Sequence, residues 1–340
     1  MKIVMLISCS LFGMSLYGIG VARLGVKVLD SDTGQPIPRI KVYGGFKNYP
    51  KGWGIAAKNN SDEEVTDSDG FCRLSGRTDA GHSSCIVRGN EGFYDSGWYS
   101  FDYEKRSAMK LGCWIPDDAM ITVRIDRVIN PIPLYVKIAE IQHGKTTYAK
   151  PLPLHEDISY DLLKGDWLPP YGEGKISDVN FTVERESLGQ EPYEYPSGIK
   201  TNEFYRYDVR VRFNGLMNGI VEKKPDYRSE LKLRIAPAEG YVPERICWRG
   251  RFSRTEYKNN YNPDTCYYIR IRTELDENGV IKKAYYGKIY GDFDLCEIKN
   301  ALTNIEFLYY LNLTPNDRNL EWDMKTNLCP VQKRISNPQP

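Results

Sequence analysis

The sequence predicts an all-β protein of two β-sandwich domains, and three observations lead there. Apolar and polar residues alternate with period two in segment after segment, Gly, Pro, Asn and Asp punctuate the segments, and no run longer than about ten residues keeps a helical period. Tyrosine is abundant, at 25 residues, and Tyr with β-branched residues fits a pleated, half-buried surface. The length of 340 residues suits two domains.

Residues 1–22 read as a signal peptide. Lys2 supplies the positive start, Ile3 to Tyr17 is mostly apolar, and Gly20-Val21-Ala22 places small residues for cleavage after Ala22. A membrane anchor is the competing reading, but a span needs about 20 apolar residues and this run is broken by Ser8, Ser10, Gly13, Ser15 and Gly18. Leu6-Ile7-Ser8-Cys9 faintly resembles a lipoprotein site, yet cutting there leaves too short an apolar region. With no later run of spanning length, the expected location is secreted or periplasmic, with no transmembrane span in the mature chain.

The first domain is expected over 23–150. Gly25 to Leu29 and Ile37 to Phe46 flank a turn of Asp30, Asp32, Gly34 and Pro36, which predicts a β-hairpin-like unit. Glu64 to Thr66, the turn Asp67-Ser-Asp-Gly70, and Phe71 to Leu74 form the next pair. Ser84 to Arg88 and Met120 to Val128 continue the domain. Asn130-Pro-Ile-Pro133 interrupts the ladder, since proline cannot donate to it, and Leu134 to Ile141 resumes as a strand.

The second domain is expected over 151–330, entered through the Gly- and Pro-rich stretch Leu154 to Gly174. Its strongest strands are Ile176 to Glu184, Tyr205 to Phe213, Glu230 to Ile235, Cys266 to Leu275, Ile281 to Leu295 and Ile305 to Leu313. Asp276-Glu-Asn-Gly279 carries the Asn-Gly hairpin signature. A short helix is expected at Cys296 to Leu302, and residues 331–340 form a flexible tail.

Lys plus Arg number 46 against 45 Asp plus Glu, so no global field draws the chain to nucleic acid or anionic membrane. Once Cys9 is removed with the signal, Cys72, Cys85 and Cys113 remain in the first half and Cys247, Cys266, Cys296 and Cys329 in the second. The even set allows three connectivities; Cys247–Cys266 with Cys296–Cys329 is favoured because each closes a modest loop. Cys72 and Cys85 are the candidates in the first half, where one thiol is left over. No CxxC occurs, so neither metal nor cofactor is expected.

VKVLDSDTGQPIPRIKV, then EEVTDSDGFCRL and NEGFYDSG, together resemble the carboxypeptidase regulatory-like module of the transthyretin-like β-sandwich group over Val26 to Gly97. Asp30, Thr33, Gly34, Pro36 and Ile37 match its first hairpin, and Thr66, Asp67, Asp69, Gly70 and Phe71 its second. Arg39-Ile40 departs from the usual small Gly-Ala, and a spacer with Tyr49, Trp53 and Gly54 lengthens the intervening loop. The resemblance implies a transthyretin-like first domain and a non-catalytic appendage of a secreted or cell-surface protein. A zinc carboxypeptidase would need an HxxE pair; His82 is followed by Ser83, Ser84 and Cys85, and His143 and His155 have no such Glu. The second half, with GDWLPPYGEGKISDVNF and YYLNLTPNDRNLEWD, looks like regions of exported bacterial proteins without assigned function.

With three histidines and no G-x-S-x-G, P-loop or HExxH, catalysis would fall to carboxylates: Asp117-Asp118, Asp292 with Asp294, or Glu184 with Glu186. Glycoside hydrolysis needs two carboxyls roughly 5–10 Å apart across a cleft. Asp292 and Asp294 would sit on the same strand face and could flank a sugar or a cation, although such a pair is more often just a solvated strand face. The two Asp-Ser-Asp turns suit calcium in donor type, but Asp in tight turns usually caps its own backbone.

Strand phase places Arg206, Asp208, Arg210 and Arg212 on one face, Lys232 and Arg234 on another strand, and Arg270 and Arg272 on a third. As sheet neighbours they would form a basic patch for an anionic glycan or acidic surface; cross-strand pairing with Asp208, Glu230 and Glu274 is the competing account. Trp98, Tyr99 and Tyr103 form a candidate sugar-stacking platform, against burial in a core. Trp248 to Lys258, with Arg249, Arg251, Arg254 and Lys258, is a candidate recognition loop or, equally, a solvated hairpin tip. The expected function is an exported, non-catalytic binding or structural protein of the bacterial cell envelope, recognising a glycan or an envelope protein. The alternative is a polysaccharide hydrolase using carboxylates of the second domain.

Overall fold

The structure, a computed structural model, describes residues 20–48, 59–103, 112–141, 151–223, 233–298 and 300–330. These residues form nineteen strands and no helix, so the chain is all-β. It divides into two compact units, 1–127 and 128–340. The division falls earlier than the expected 150, because the strand at Ile132–Glu140 pairs with Glu306–Leu311 of the second unit.

The first unit contains β1 (Gly20–Asp30), β2 (Lys41–Phe46), β3 (Asn60–Val65), β4 (Phe71–Thr78), β5 (His82–Val87), β6 (Tyr99–Asp102) and β7 (Met120–Ile125). They form a three-stranded sheet, β4-β1-β7, and a four-stranded sheet, β3-β2-β5-β6. Alternation sends Leu24, Val26, Val28 and Leu74 from one sheet, and Val42, Phe46, Cys85 and Val87 from the other, into one core. Each such side chain contributes about 1.5–3 kcal/mol on full burial. Phe46 lies so close on Gly76 that a Cβ there would sit 2.2 Å from its ring, so only glycine lets the strand pass beneath the ring.

Both expected hairpins turn out to be corners between sheets. β1 pairs with β4 and β7, and β2 with β3 and β5, so the Asp30–Pro36 turn carries the chain from one sheet to the other. The Asp67–Gly70 turn does the same between β3 and β4. Alternation gives a strand its faces but not its neighbour. The turn chemistry itself holds: Asp30 Oδ1 accepts from the Asp32 and Thr33 N–H groups, and Asp67 Oδ1 accepts from Asp69 and Phe71. Gly34 and Gly70 supply the positive φ angles of 68° and 69°.

Residues 1–19 of the expected signal lie outside the described residues, but its last three do not. Gly20, Val21 and Ala22 open β1, Ala22 is fully buried, and Ala22 pairs with Gly76. A cut after Ala22 would therefore remove paired, buried residues from the ladder.

The second unit contains β8 (Ile132–Glu140), β9 (Asp157–Asp161), β10 (Asp166–Trp167), β11 (Val179–Tyr195), β12 (Gly198–Phe213), β13 (Gly219–Lys223), β14 (Glu244–Arg251), β15 (Tyr257–Asn259), β16 (Cys266–Leu275), β17 (Ile281–Ile298), β18 (Ala301–Asn312) and β19 (Trp322–Asn327). Two six-stranded sheets result, β10-β9-β11-β12-β14-β15 and β13-β16-β17-β18-β8-β19. An aromatic core lies between them, with Tyr160 against Trp167 at 4.8 Å and Phe293 against Phe307 at 5.1 Å between ring centroids. The second sheet is also buried on its other face. There Tyr268, Tyr286 and Tyr310 pack with Trp322 of β19 against Leu233, Ala236 and Leu320 from covering segments.

β11 and β12 outrun their expected limits. β9 pairs with β11 only over Val179–Thr182, and β14 with β12 only over Tyr205–Arg212, yet the β11–β12 ladder continues to Tyr195↔Gly198. The pair thus extends as a two-stranded arm with mostly exposed side chains. A bulge between Ser187 and Gly189, the edge proline Pro192 and abundant Glu blunt its open edge.

Two further expectations change. Cys296 to Leu302 is no helix but the end of β17, a turn with Asn300 at φ 61°, and the start of β18. Of the strand expected at Glu230 to Ile235, residues 230–232 lie outside the described residues; Leu233 and Arg234 are not in a strand, and Ile235 makes an isolated bridge with Asn319.

None of the seven described cysteines forms a disulfide. Cys247 lies in the core between the sheets and Cys266 in the cluster on the opposite face of β16, so the expected Cys247–Cys266 bridge would have to cross a sheet. Cys296 is exposed and Cys329 buried, and the second expected bridge is not formed. Cys72 and Cys85 share the core of the first unit, where burial pushes both thiols up to about 12.

Candidate binding cleft of the second unit

The expected basic patch is not assembled. Arg210 and Arg212 lie on β12 in the first six-stranded sheet, whereas Arg270 and Arg272 lie on β16 in the second. Arg210 and Arg212 both meet Glu244, at 2.6 and 3.5 Å. Arg270 is buried, donates to the carbonyls of Met217 and Ala238, and lies over Tyr241. Arg272 is bound to Asp178 and Asp161. Arg234 lies 3.9 Å from buried Glu321, and Lys232 lies outside the described residues. The expected phase holds along β12, but on β16 Arg272 lies at a register break with φ 51° and turns to Asp178 and Asp161 while Arg270 faces Tyr241, and the strands are not neighbours.

The expected aromatic platform also divides. Trp98 is 63 % exposed, whereas Tyr99 packs partly against the first core and Tyr103 is buried, its hydroxyl donating to the Arg23 carbonyl at 2.6 Å.

Asp292 and Asp294 part company at an irregularity between Tyr290 and Asp294. Asp292 is buried and accepts from Arg245 at 2.9 Å, the Tyr267 hydroxyl at 3.0 Å and the Phe293 N–H at 2.9 Å. Its carboxylate is thereby committed to holding β14, β16 and β17 together. Asp294 is exposed and stands directly opposite Glu306 on β18. Burial, then the Asp294 charge, raises the Glu306 carboxyl above its ordinary value.

Where β14 and β15 approach β17 there is a small cleft of about 40 Å3, lined by Trp248, Arg249, Asn260, Tyr261, Phe293 and Asp294 among others. Its walls are built by local hydrogen bonding. Asn260 Oδ1 accepts from the Trp248 N–H at 2.7 Å, and its amide donates to the Ile246 carbonyl at 3.0 Å. The side chain thus continues the β14–β15 ladder past the end of β15. Asn259 Oδ1 accepts from the Tyr261 N–H, turning the chain so that Tyr261 enters the lining.

Trp248 is held on two sides. The Arg206 guanidinium lies 4.7 Å from its ring centroid and Phe252 meets it edge-on at 6.2 Å. Arg206 is itself fixed by two hydrogen bonds to Asp208. Arg249 lies 3.5 Å from Glu297, which also accepts the Tyr205 hydroxyl; burial raises the Glu297 carboxyl, with Arg185 acting in opposition. The Tyr261 hydroxyl is pushed up by burial and then by the charges of Asp294, Asp292 and Glu306. The cleft therefore combines aromatic surface, one guanidinium and one solvent-facing carboxylate.

Of these residues the sequence reading singled out Arg249, Trp248 and Asp294, from the 248–258 loop and the carboxylate pair, but not Asn260 or Tyr261. Arg251, from the same loop, instead donates to Asn202 at 3.0 Å and lies 5.3 Å from the Tyr257 ring.

No protein-family model matches the sequence, and no curated protein matches it. Among solved structures, a point mutant of the shaft pilin SpaA from Lactobacillus rhamnosus GG is similar at TM-score 0.20 and 8% identity, over 89% of this chain and 95% of that one. That likeness is too distant to bear on function. No helix among the described residues is long and apolar enough to cross a membrane.

Proposed function

We propose that the protein is an exported, non-catalytic recognition protein of the bacterial cell envelope. In this reading the first unit is a transthyretin-like scaffold, and the second binds a glycan or protein ligand in the Trp248–Asp294 cleft. The observation that carries the reading is a cleft lined by Trp248, Arg249, Tyr261 and the exposed Asp294, with its 260–261 wall fixed by the Asn259 and Asn260 side chains. A wall held in place before a ligand arrives loses little freedom on binding, and preorganisation of this kind favours binding.

The direct test is sedimentation of the purified chain with bacterial envelope fractions. Binding that falls in Trp248→Ala and Asp294→Asn, with the β-sheet circular dichroism unchanged, supports the reading. Binding indifferent to both variants rejects this cleft.

A second reading, hydrolysis of polysaccharide, is favoured by one observation. Glu306 has a raised carboxyl beside Asp294, the pattern of an acid paired with a base. Against it, the two residues are direct partners across β17 and β18 rather than facing each other over a substrate.

A further inference from the structure

We infer that the outer face of the β11–β12 arm, continued across its root to Trp248, is a track for a linear, uncharged polysaccharide; this rests on the recognition reading above and names its ligand class. Strand pairing sets five aromatic rings along that one face. Before the bulge the odd residues of β11 face the core, as Phe181 and Val183 do; after it Tyr193 stands opposite Lys200 and Tyr195 opposite Gly198. The bulge thus re-aims both tyrosines onto the face that β12 gives to Lys200, Phe204 and Arg206. At the root Trp248 stands opposite Asp208 on the same face, with Arg206 4.7 Å from its ring centroid. Phe252 closes the row, edge-on to Trp248 at 6.2 Å and over Gly250, which has no side chain to displace it.

Size, charge and fixity then select the ligand. The row spans roughly 33 Å, from Tyr195 opposite Gly198 to Trp248 opposite Asp208, at about 3.3 Å per residue of β12. The arm beneath it is two strands wide, about 5 Å between them, which seats one extended chain and not the roughly 800 Å2 of a globular partner. An extended peptide would add to the open edge of β11 through its backbone, where the bulge and Pro192 obstruct it. The ions beside the rings are already paired: Arg254 with Glu191 at 3.1 Å, Arg206 with Asp208 at 2.8 Å and Lys258 with Glu256 at 2.6 Å. Glu184 and Glu186 border the row at its root and oppose an anionic chain, while Lys200 opposes a cationic one. Sugar rings bring apolar C–H faces to the aromatics, and hydroxyls that donate to the carboxylates and accept from the guanidinium groups. The arm rings are also fixed in advance. Lys200 lies 3.9 Å from the Tyr195 ring centroid, and Arg254, bonded to the Pro192 carbonyl at 3.2 Å, lies 5.8 Å from that of Tyr193; such preorganisation favours binding.

The test is titration of the full chain by calorimetry with neutral cello-oligosaccharides and N-acetylglucosamine oligomers, disaccharide to hexasaccharide, and with anionic oligogalacturonates and cationic glucosamine oligomers. At least one neutral series is expected to bind, with affinity that rises with length. Tyr195, at the arm tip and 51 % exposed, gives the sharpest variant: Tyr195→Ala should weaken the hexasaccharide roughly two- to tenfold, as for loss of one ring contact. Tyr195→Phe should restore it, which separates loss of the ring from loss of the fold, and Tyr193→Ala should act like Tyr195→Ala. Neutral binding that both arm variants leave unchanged and Asp294→Asn removes places the ligand in the cleft, and overturns the inference while leaving recognition intact. Binding of only the charged probes does the same. If no probe binds, but periodate-treated envelope fractions still sediment with the chain in a Trp248-dependent way, the ligand is a protein and the inference falls alone. If neither binds, both readings fall.

Discussion

Arg272 on β16 donates two hydrogen bonds to Asp178, at 2.8 and 2.9 Å, and so ties the second sheet of the larger unit to the segment that leads into β11 of the first. A third bond, at 2.6 Å, reaches Asp161 at the end of β9. Both carboxylates are almost wholly buried. Burial raises the Asp178 carboxyl despite Arg272, whereas at Asp161 burial is outweighed by the N–H groups of Lys164, Lys175 and Ile176 together with Arg272, which hold it low. Removing the guanidinium leaves buried charge uncompensated, at a cost of about 3–5 kcal/mol. Arg272→Ala should therefore lower the urea midpoint strongly, and Arg272→Lys, which keeps the charge but loses the fork, by less. A midpoint unchanged in Arg272→Ala would show that the triad does not join the sheets.

Lys288 is fully buried, with the Tyr290 and Tyr310 rings each 5.0 Å from its Nζ. Burial lowers its amine to about 7, with Cys266 and Glu321 raising it and Arg234 lowering it further. Between that value and the ordinary 10.5 the unfolded chain holds a proton the native chain lacks, so stability rises with pH. From pH 7 to about 9 this contribution is on the order of 2 kcal/mol, while the buried thiols of Cys72 and Cys85 act the other way, since the unfolded chain releases its thiol protons at about 8.5 and the native chain holds them. Thermal melts of the wild-type chain and Lys288→Met across that range should therefore differ by a gap that moves in favour of the wild type as pH rises.

Glu306 and Asp294 are like charges directly opposite one another, an arrangement that destabilises a sheet. The Glu306 carboxyl is raised, so its protonated form favours the native state at low pH, and that contribution is lost as pH rises through the folded value. Glu306→Gln should stabilise the protein at pH 7 by a few tenths of a kcal/mol, since both groups are solvent-screened. The gain should vanish near pH 4, as paired denaturant titrations would reveal.

Much of the fold was legible in the sequence, and the missing parts share a cause. The Asp276-Glu-Asn-Gly279 turn forms as read, with Asp276 capping Asn278 and Val280 and Gly279 at φ 78° between β16 and β17. Strands with one buried face, such as Tyr205 to Phe213, announced themselves by alternation. The arm beyond Ser187 did not, because both of its faces are solvated and no period is imposed; its turn at Tyr195-Pro-Ser-Gly198 was the available signal. Partnership was the other blind spot. Nothing local says that Arg210 and Arg270 belong to different sheets, or that Asn260 would extend a ladder and form the wall of a cleft.

Export carries a prediction about the start of the mature chain. Val21 donates to the Gly112 carbonyl and accepts from the Trp114 N–H, and Ala22 is buried in the core. If the protein is exported by cleavage, intact mass of the secreted form should place its first residue before Gly20. A form beginning at Arg23 should melt at lower temperature, having lost three residues of β1.

Recognition without chemistry is open to one decisive experiment, a glycan-array screen of the mature chain, with every bound glycan then incubated and assayed for new reducing ends. Binding that Trp248→Ala removes is expected, with no new reducing ends from any glycan. Reducing ends released by the wild-type chain and abolished in Asp294→Asn or Glu306→Gln would contradict it and make the protein a hydrolase.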